Sequence, residues 1–284
     1  MARVANTISE VRELVKQARA QGKRIGLVPT MGALHAGHIS LVEAAKRLTD
    51  FVVVSIFVNP TQFGPNEDFN KYPRTLDADV EMCQKAGADV VFVPSAQEMY
   101  PTPQQTWIDV EKLTDCLCGA SRPGHFRGVT TVCVKLFNAV LPDAAFFGQK
   151  DAQQVIVIKR MVADLNMPLE IVVCPIVREA NGLAMSSRNK YLSEQQRQEA
   201  AAIYVSLQKA EQMLKSGERT AAFIIAAMQE ILRLGGSIAT EYIHIVDAAT
   251  LADLQFIKGQ VLIAVAAKIG ATRLIDNILI DAGV

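Results

Sequence analysis

Within the first 175 residues, five short apolar runs, at 25–28, 51–57, 90–93, 144–147 and 169–174, are each the length of a strand and alternate with stretches whose apolar residues recur at helical spacing. The second run constrains the fold most. Phe51-Val52-Val53-Val54-Ser55-Ile56-Phe57 is β-branched and aromatic throughout, the mark of a strand covered on both faces and so of a parallel sheet. Parallel neighbours need crossovers, which helices at 75–86, 129–140 and 152–165 and one running on from Ile39 supply, behind an opening helix at 9–21. The expected fold is α/β, with a doubly wound, Rossmann-like parallel sheet over residues 1–175. After Pro175 the order becomes two helices at 193–215 and 220–234, a Gly235-Gly236 break and strands near 241–246, 261–267 and 273–280. That order predicts a smaller C-terminal α+β domain over residues 176–284, with an antiparallel sheet, hinged near Pro175 and able to act as a lid.

In such sheets ligands sit beyond the carboxyl ends of the strands, so the turns after Val28, Phe57 and Phe147 are the places to look. The first turn holds Met31-Gly32-Ala33-Leu34-His35-Ala36-Gly37-His38, and Ile39, Leu41, Val42, Ala45 and Leu48 follow on one helical face. Gly32 and Gly37 have the separation of the glycines in a phosphate-binding loop, but His38 replaces its lysine and no Ser or Thr follows, so the Walker A reading fails. An anion site remains: glycines admit a close approach, the helix start offers N–H groups, and imidazoles at i and i+3 can donate to phosphate oxygens. Two other readings stay open at this point. The His-x-x-His pair could hold a metal, although no Cys, Asp or Glu lies within the loop, or it could simply cap a helix.

The second turn, Asn59-Pro60-Thr61-Gln62, offers amides suited to hydroxyls and a carboxylate, or is an ordinary Asn-Pro turn. After Phe147 come Gly148, Gln149, Lys150 and Asp151, then Gln153 and Gln154. Gly148 allows close approach, Lys150 neutralises phosphate, and Asp151 either meets a ribose hydroxyl or water-bound Mg²⁺ or merely caps the next helix. Met185, Ser186, Ser187 and Arg188 form a compact phosphate clamp or a solvated linker. Arg122-Pro123-Gly124-His125-Phe126-Arg127-Gly128 reads equally as a second phosphate contact and as a surface turn before a helix. Trp107 is expected to pack or lie at an interface, and His244 to be structural.

Lys plus Arg and Asp plus Glu each number 29, so no basic field recruits nucleic acid. The first ten residues lack the apolar core of a signal peptide and no apolar run is membrane-sized, so a cytoplasmic protein with no membrane partner is expected. The five cysteines show no Cys-x-x-Cys spacing and read as reduced thiols.

The motif of Met31 to His38 resembles that of the nucleotidyltransferase superfamily, and its whole form resembles the pantoate–β-alanine ligase family. Further matching stretches recur in order at 55–63, 72–75, 119–129, 147–154 and 183–188. The resemblance implies ATP-dependent condensation of (R)-pantoate with β-alanine through a pantoyl-adenylate, releasing AMP and pyrophosphate. It implies that His35 and His38 meet the ATP phosphates, with His38 as proton donor, and that Lys150 and Arg188 join them as catalytic groups. Met31, Gly32, Ala33, Leu34, His35, Ala36, Gly37, His38, Gly148, Gln149, Lys150, Asp151, Val177, Met185, Ser186, Ser187 and Arg188 then line the nucleotide, and Gln62 and Gln154 hold pantoate. Mg²⁺ is implied with ATP, with Asp77 or Asp79 open as its ligand and Asp79 the one expected, and a homodimer through the first domain is implied too. Two other functions share the His loop: a nucleotidyltransferase that stops after moving AMP or CMP to a phosphorylated acceptor, and a nucleotide sensor without turnover. Uncharged Gln62 and Gln154 favour a hydroxy acid over a phosphorylated acceptor.

Overall fold

A computed structural model describes residues 2–65 and 67–283. Its elements run β1 (Arg3–Ala5), α1 (Ile8–Ala20), β2 (Ile25–Thr30), α2 (Ala36–Leu48), β3 (Phe51–Ile56), α3 (Leu76–Lys85), β4 (Val90–Phe92), α4 (Ala96–Met99), α5 (Leu117–Ser121), α6 (His125–Val140), β5 (Ala144–Gly148), α7 (Ala152–Asp164) and β6 (Glu170–Cys174). They continue as α8 (Glu194–Ala200), α9 (Ala202–Lys215), α10 (Ala221–Leu234), β7 (Ile238–Asp247), β8 (Gln260–Ile269) and β9 (Thr272–Asp281), with 3₁₀ turns at Pro60–Gln62, Gln149–Asp151 and Ser187–Tyr191.

Chain contacts divide the protein into two compact units. One comprises the chain up to Gly148 together with Gln153–Pro175; the other comprises Gln149–Ala152 and everything from Ile176 on. The four-residue turn after β5 thus belongs with the C-terminal chain.

In the first unit the six strands are parallel in the order β1-β4-β3-β2-β5-β6, the doubly wound sheet expected from the apolar runs. Val52, Val53, Val54, Val90, Val91 and Phe92 are fully buried, as strands covered on both faces require. The order reverses between β2 and β5. There the two strands pair only at Gly26↔Ala144 and Leu27↔Ala145, while β2 stays paired with β3 as far as Thr30↔Ile56. β2 and β5 therefore stop pairing toward their carboxyl ends, at the switch point where such sheets take their ligands. This also explains a proline in a central strand. Pro29 lies beyond the last pairing with β5, where its missing N–H costs the sheet nothing.

The second unit carries the antiparallel sheet β7-β8-β9. Its core joins Ile203, Leu207, Ile224, Met228 and Leu232 of the helices to Ile245, Val261, Ile263 and Val265 of the strands. The helix expected over 193–215 is two, because α8 and α9 are separated at Ala201. Ser193 opens the first with a capping box closed by Gln196.

Candidate active site

The loop between β2 and α2 is built by three devices. Gly32 holds φ +82, and a Cβ there would lie 3.0 Å from Asp79 Oδ2 and 3.1 Å from Ile56 Cγ2, so both its conformation and its space call for glycine. Thr30 Oγ1 donates to Ser55 O (2.7 Å) and accepts from Gly32 N–H (3.2 Å), tying the loop to β3. Asp79, on α3 and 2% exposed, accepts from Ala33 N–H (2.9 Å, Oδ2) and Leu34 N–H (2.8 Å, Oδ1), with Thr75 Oγ1 donating at 3.2 Å. Ala33 is in the left-handed region at φ 51, an arrangement that costs an alanine about 1–2 kcal/mol and that the Asp79 carboxylate holds in place. Asp79 is thus a brace for the loop. Both of its oxygens already accept backbone hydrogens in a site with almost no exposure.

The two histidines cap α2 reciprocally. His35 is the N-cap, its Nδ1 accepting from Gly37 N–H (3.2 Å), and His38 Nδ1 accepts from His35 N–H (3.3 Å). A capping box is usually Ser or Thr with Glu or Gln; here imidazoles fill both places. Since each Nδ1 accepts, each neutral ring carries its hydrogen on Nε2. The ring centroids are 4.1 Å apart with planes tilted by 42°. The capping reading is borne out, and the bonds that cap the helix also fix the orientation of both rings. The metal reading finds no support, for among the described residues no three His, Cys, Asp or Glu side chains gather as a metal site.

Gln62 Nε2 lies 3.2 Å from Met31 Sδ, so the turn after β3 abuts the His loop. Asn59, 1% exposed, is consumed internally: Nδ2 donates to Gln62 Oε1 (3.0 Å) and Gly128 O (3.1 Å), and Oδ1 accepts from Tyr100 Oη (2.9 Å) and Thr61 Oγ1 (2.9 Å). It orients Gln62, whose Oε1 it holds. Gln153 is likewise internal, holding Leu113 O, Cys116 O and Cys118 N–H, whereas Gln154, one residue on, is only half-buried in the first turn of α7.

The Arg122 to Gly128 stretch is a turn with Pro123 and Gly124 exposed that runs into a helix, and its Arg122 and His125 are engaged within the protein. Gly124 (φ +79) caps α6, and His125 is the first residue of that helix. Arg122 pairs with Glu67 (2.5 Å) and donates to His125 Nε2 (3.0 Å); His125 Nδ1–H then donates to Gln62 O (2.9 Å). Burial pushes the Glu67 carboxyl up, but its bond to Arg122 and that guanidinium's charge prevail and hold it below the usual value. Gly128 brings α6 against this turn, since a Cβ there would sit 2.4 Å from Thr61 O and 2.7 Å from Gln62 Cα. Arg127 instead lies over Trp107, 4.9 Å from its ring, and pairs with Asp109 at 3.3 Å.

In the second unit, Gln149, Lys150 and Asp151 form a 3₁₀ turn with the Lys150 ammonium 4.0 Å from Asp151. Beside Gly148 a Cβ would meet nothing, so that side of the chain is open. Met185 N–H donates to Val177 O (2.9 Å), and Ser186 caps the turn containing Ser187 and Arg188 by accepting from Arg188 N–H at 3.2 Å. The expected residues are divided between the units: Met31 to His38, Gln62, Gly148 and Gln154 belong to the first, Gln149 to Asp151, Val177 and Met185 to Arg188 to the second.

A family model described as pantoate-beta-alanine ligase matches residues 3–279. The chain belongs to that family. A pantothenate synthetase of Thermoanaerobacter sp. (strain X514) is 56% identical over 97% of this chain and 98% of its own. The crystal structure of pantothenate synthetase from Thermus thermophilus matches with a TM-score of 0.92 at 44% identity, covering 97% of this chain and 98% of that one. A pantoate-beta-alanine ligase from Francisella tularensis, complexed with beta-gamma ATP and beta-alanine, matches with a TM-score of 0.79 at 35% identity over 98% of both chains.

All five cysteines carry free thiols, and burial pushes those of Cys83 and Cys133 up to about 12, which leaves them inert as nucleophiles. No helix among the described residues is long and apolar enough to cross a membrane.

Proposed function

We propose that this ligase joins (R)-pantoate to β-alanine with ATP, in two steps at one site. A pantoate carboxylate oxygen attacks the α-phosphorus and pyrophosphate leaves; the neutral amine of β-alanine then attacks the carbonyl of the pantoyl-adenylate, AMP leaves, and the amide nitrogen gives up a proton. The observation that carries this reading is the reciprocal cap of His35 and His38, which aims two Nε2–H donors from a helix start at the switch point of a parallel sheet.

Adenylation moves negative charge onto phosphate oxygens, so fixed donors and cations matter more than covalent assistance. His35 and His38 serve the phosphates, with His38 donating to the departing charge. Lys150, Ser187 and Arg188 supply further cationic and hydroxyl contacts, while Met31 to Gly37, Gly148, Gln149, Asp151, Val177, Met185 and Ser186 line the nucleotide. Gln62 and Gln154 hold pantoate through uncharged amides, which suits a hydroxy acid. Removing one such donor is expected to raise the barrier by about 3 kcal/mol. Asp79 is committed to the loop, so Mg²⁺ would enter with ATP, where it would offset the charge of the phosphates. The free thiols support a reducing, cytoplasmic setting, and we assign a homodimer on the family resemblance.

The test is a coupled assay for AMP in which the acid and the amine are varied. AMP released in step with amide, requiring both pantoate and β-alanine, is the expected result. A stable nucleotidylated acid would favour the nucleotidyltransferase alternative, and ATP binding without pyrophosphate release would favour a sensor.

A further inference from the structure

Polar side chains rarely stand buried in the middle of a strand without a partner that accounts for them. Asp276 and Asn277 lie side by side in β9, each 3% exposed, between Leu274-Ile275 and Ile278-Leu279. Neither belongs to the residues assigned above to substrate or nucleotide. Successive strand side chains leave opposite faces, so neighbours can serve different segments.

Asn277 is satisfied entirely by the turn that carries Lys150. Its Nδ2 donates to Gln149 O (3.0 Å) and Lys150 O (2.9 Å), and its Oδ1 accepts from Gln149 Nε2 (3.0 Å). Three bonds from one amide tie this 3₁₀ turn to β9. These bonds account for the grouping of Gln149–Ala152 with the C-terminal chain and not with the strand it follows.

Asp276 makes the frame rigid. It grips Arg178 through both oxygens (2.6 and 3.1 Å) and accepts from Asn277 N–H (2.8 Å). Arg178 lies 3.7 Å from the centre of the Tyr204 ring and donates to Gly182 O (3.1 Å), within the hairpin closed by the Arg178↔Ala184 bridge that leads to Ser186 and Arg188. β9 thus touches both the Lys150 turn and the turn of Ser187 and Arg188.

We propose that Asn277 is a positioning residue for Lys150, registering that ammonium against the Ser186 to Arg188 clamp for adenylation. The inference rests on the ligase reading. Displacing a reacting group by about 1 Å can cost on the order of a hundredfold in rate, so loss of the anchor should lower turnover far more than ATP affinity.

The experiment compares Asn277→Ala and Asn277→Asp in the full chain. The Asp variant keeps the size and the acceptor for Gln149 while removing both donors to the carbonyls, and so stands in if the Ala variant folds poorly. Pantoate-dependent exchange of pyrophosphate into ATP is expected to fall by roughly tenfold to a hundredfold, with ATP affinity changed by less than about threefold. In a Lys150→Ala background the same substitutions should cost less than about threefold, because the group they position is already gone. A folded variant with wild-type exchange, or one whose loss is equally large without Lys150, overturns the proposal. A wild-type protein that shows no pantoate-dependent exchange overturns the ligase reading and this inference together. Active wild type with unaffected Asn277 variants overturns this inference alone.

Discussion

Replacing Asp79 by Asn tests whether the His loop is held by a carboxylate. The native side chain presents two acceptors to three donors: Oδ2 to Ala33 N–H, and Oδ1 to Leu34 N–H and Thr75 Oγ1. Asparagine keeps the shape but turns one acceptor into a donor, so one backbone N–H in a nearly inaccessible site faces an NH₂ group. Loss of one hydrogen bond to a charged partner, leaving the N–H unsatisfied, is expected to cost about 2–3 kcal/mol. The loop is poorly placed to absorb that, because Ala33 already sits at φ 51. Urea unfolding should show a lower midpoint with an unchanged slope, since the surface exposed on unfolding does not change. If the deficit falls wholly on the loop, the equilibrium constant for holding both imidazoles in register drops by roughly thirtyfold or more, and adenylation drops as the ordered loop is depleted. Two companions separate a brace from a metal ligand. Raising Mg²⁺ should restore nothing, and adding Ala33→Gly, which relieves the left-handed strain, should restore part of the stability, on the order of 1 kcal/mol. An Asn variant with the wild-type midpoint and normal adenylation, or one rescued by Mg²⁺ alone, refutes the reasoning.

His38→Ala should keep the fold, losing about 1 kcal/mol with its half of the helix cap, yet lose most pantoate-dependent pyrophosphate exchange; near-normal turnover rejects its role. Gly128→Ala forces a methyl against Thr61 O and Gln62 Cα. It should destabilise the protein by about 1–3 kcal/mol and raise the pantoate KM, checked by unfolding and steady-state kinetics. Glu67 has a folded pKa below its ordinary value of 4.5, so its contribution is present above that value and disappears as pH falls through the folded pKa. The midpoint difference between wild type and Glu67→Gln should therefore be full at neutral pH and shrink in acid. A difference that grows on acidification contradicts the ion pair.

The sheet was legible because its strands are unbroken apolar runs and its helices show one apolar face, a pattern that depends only on burial. Arg3–Ala5 was not, since a three-residue edge strand has no period to read. The start of α6 was misplaced by four residues because Pro123, Gly124 and Gly128 look like loop punctuation; Gly124 is indeed the cap, but Gly128 is a helix residue chosen for close contact with Thr61. The His loop could be found from its glycines and imidazoles. Its brace could not be found, because an acid in the first turn of α3 is explained equally well by the helix dipole. For Asn277 a signal was present: two adjacent polar residues interrupt an apolar strand, and burial of such a pair demands partners. Which partners they are is a matter of tertiary structure alone.

The most direct measurement is exchange of labelled pyrophosphate into ATP by the intact protein, with Mg²⁺ and without β-alanine. Exchange that depends on pantoate, and that β-alanine diverts into AMP and amide, is what a site activating the acid before the amine attacks must give. Folded protein that binds ATP and pantoate yet shows no exchange contradicts the adenylation step on which the roles of His35, His38 and Lys150 all depend.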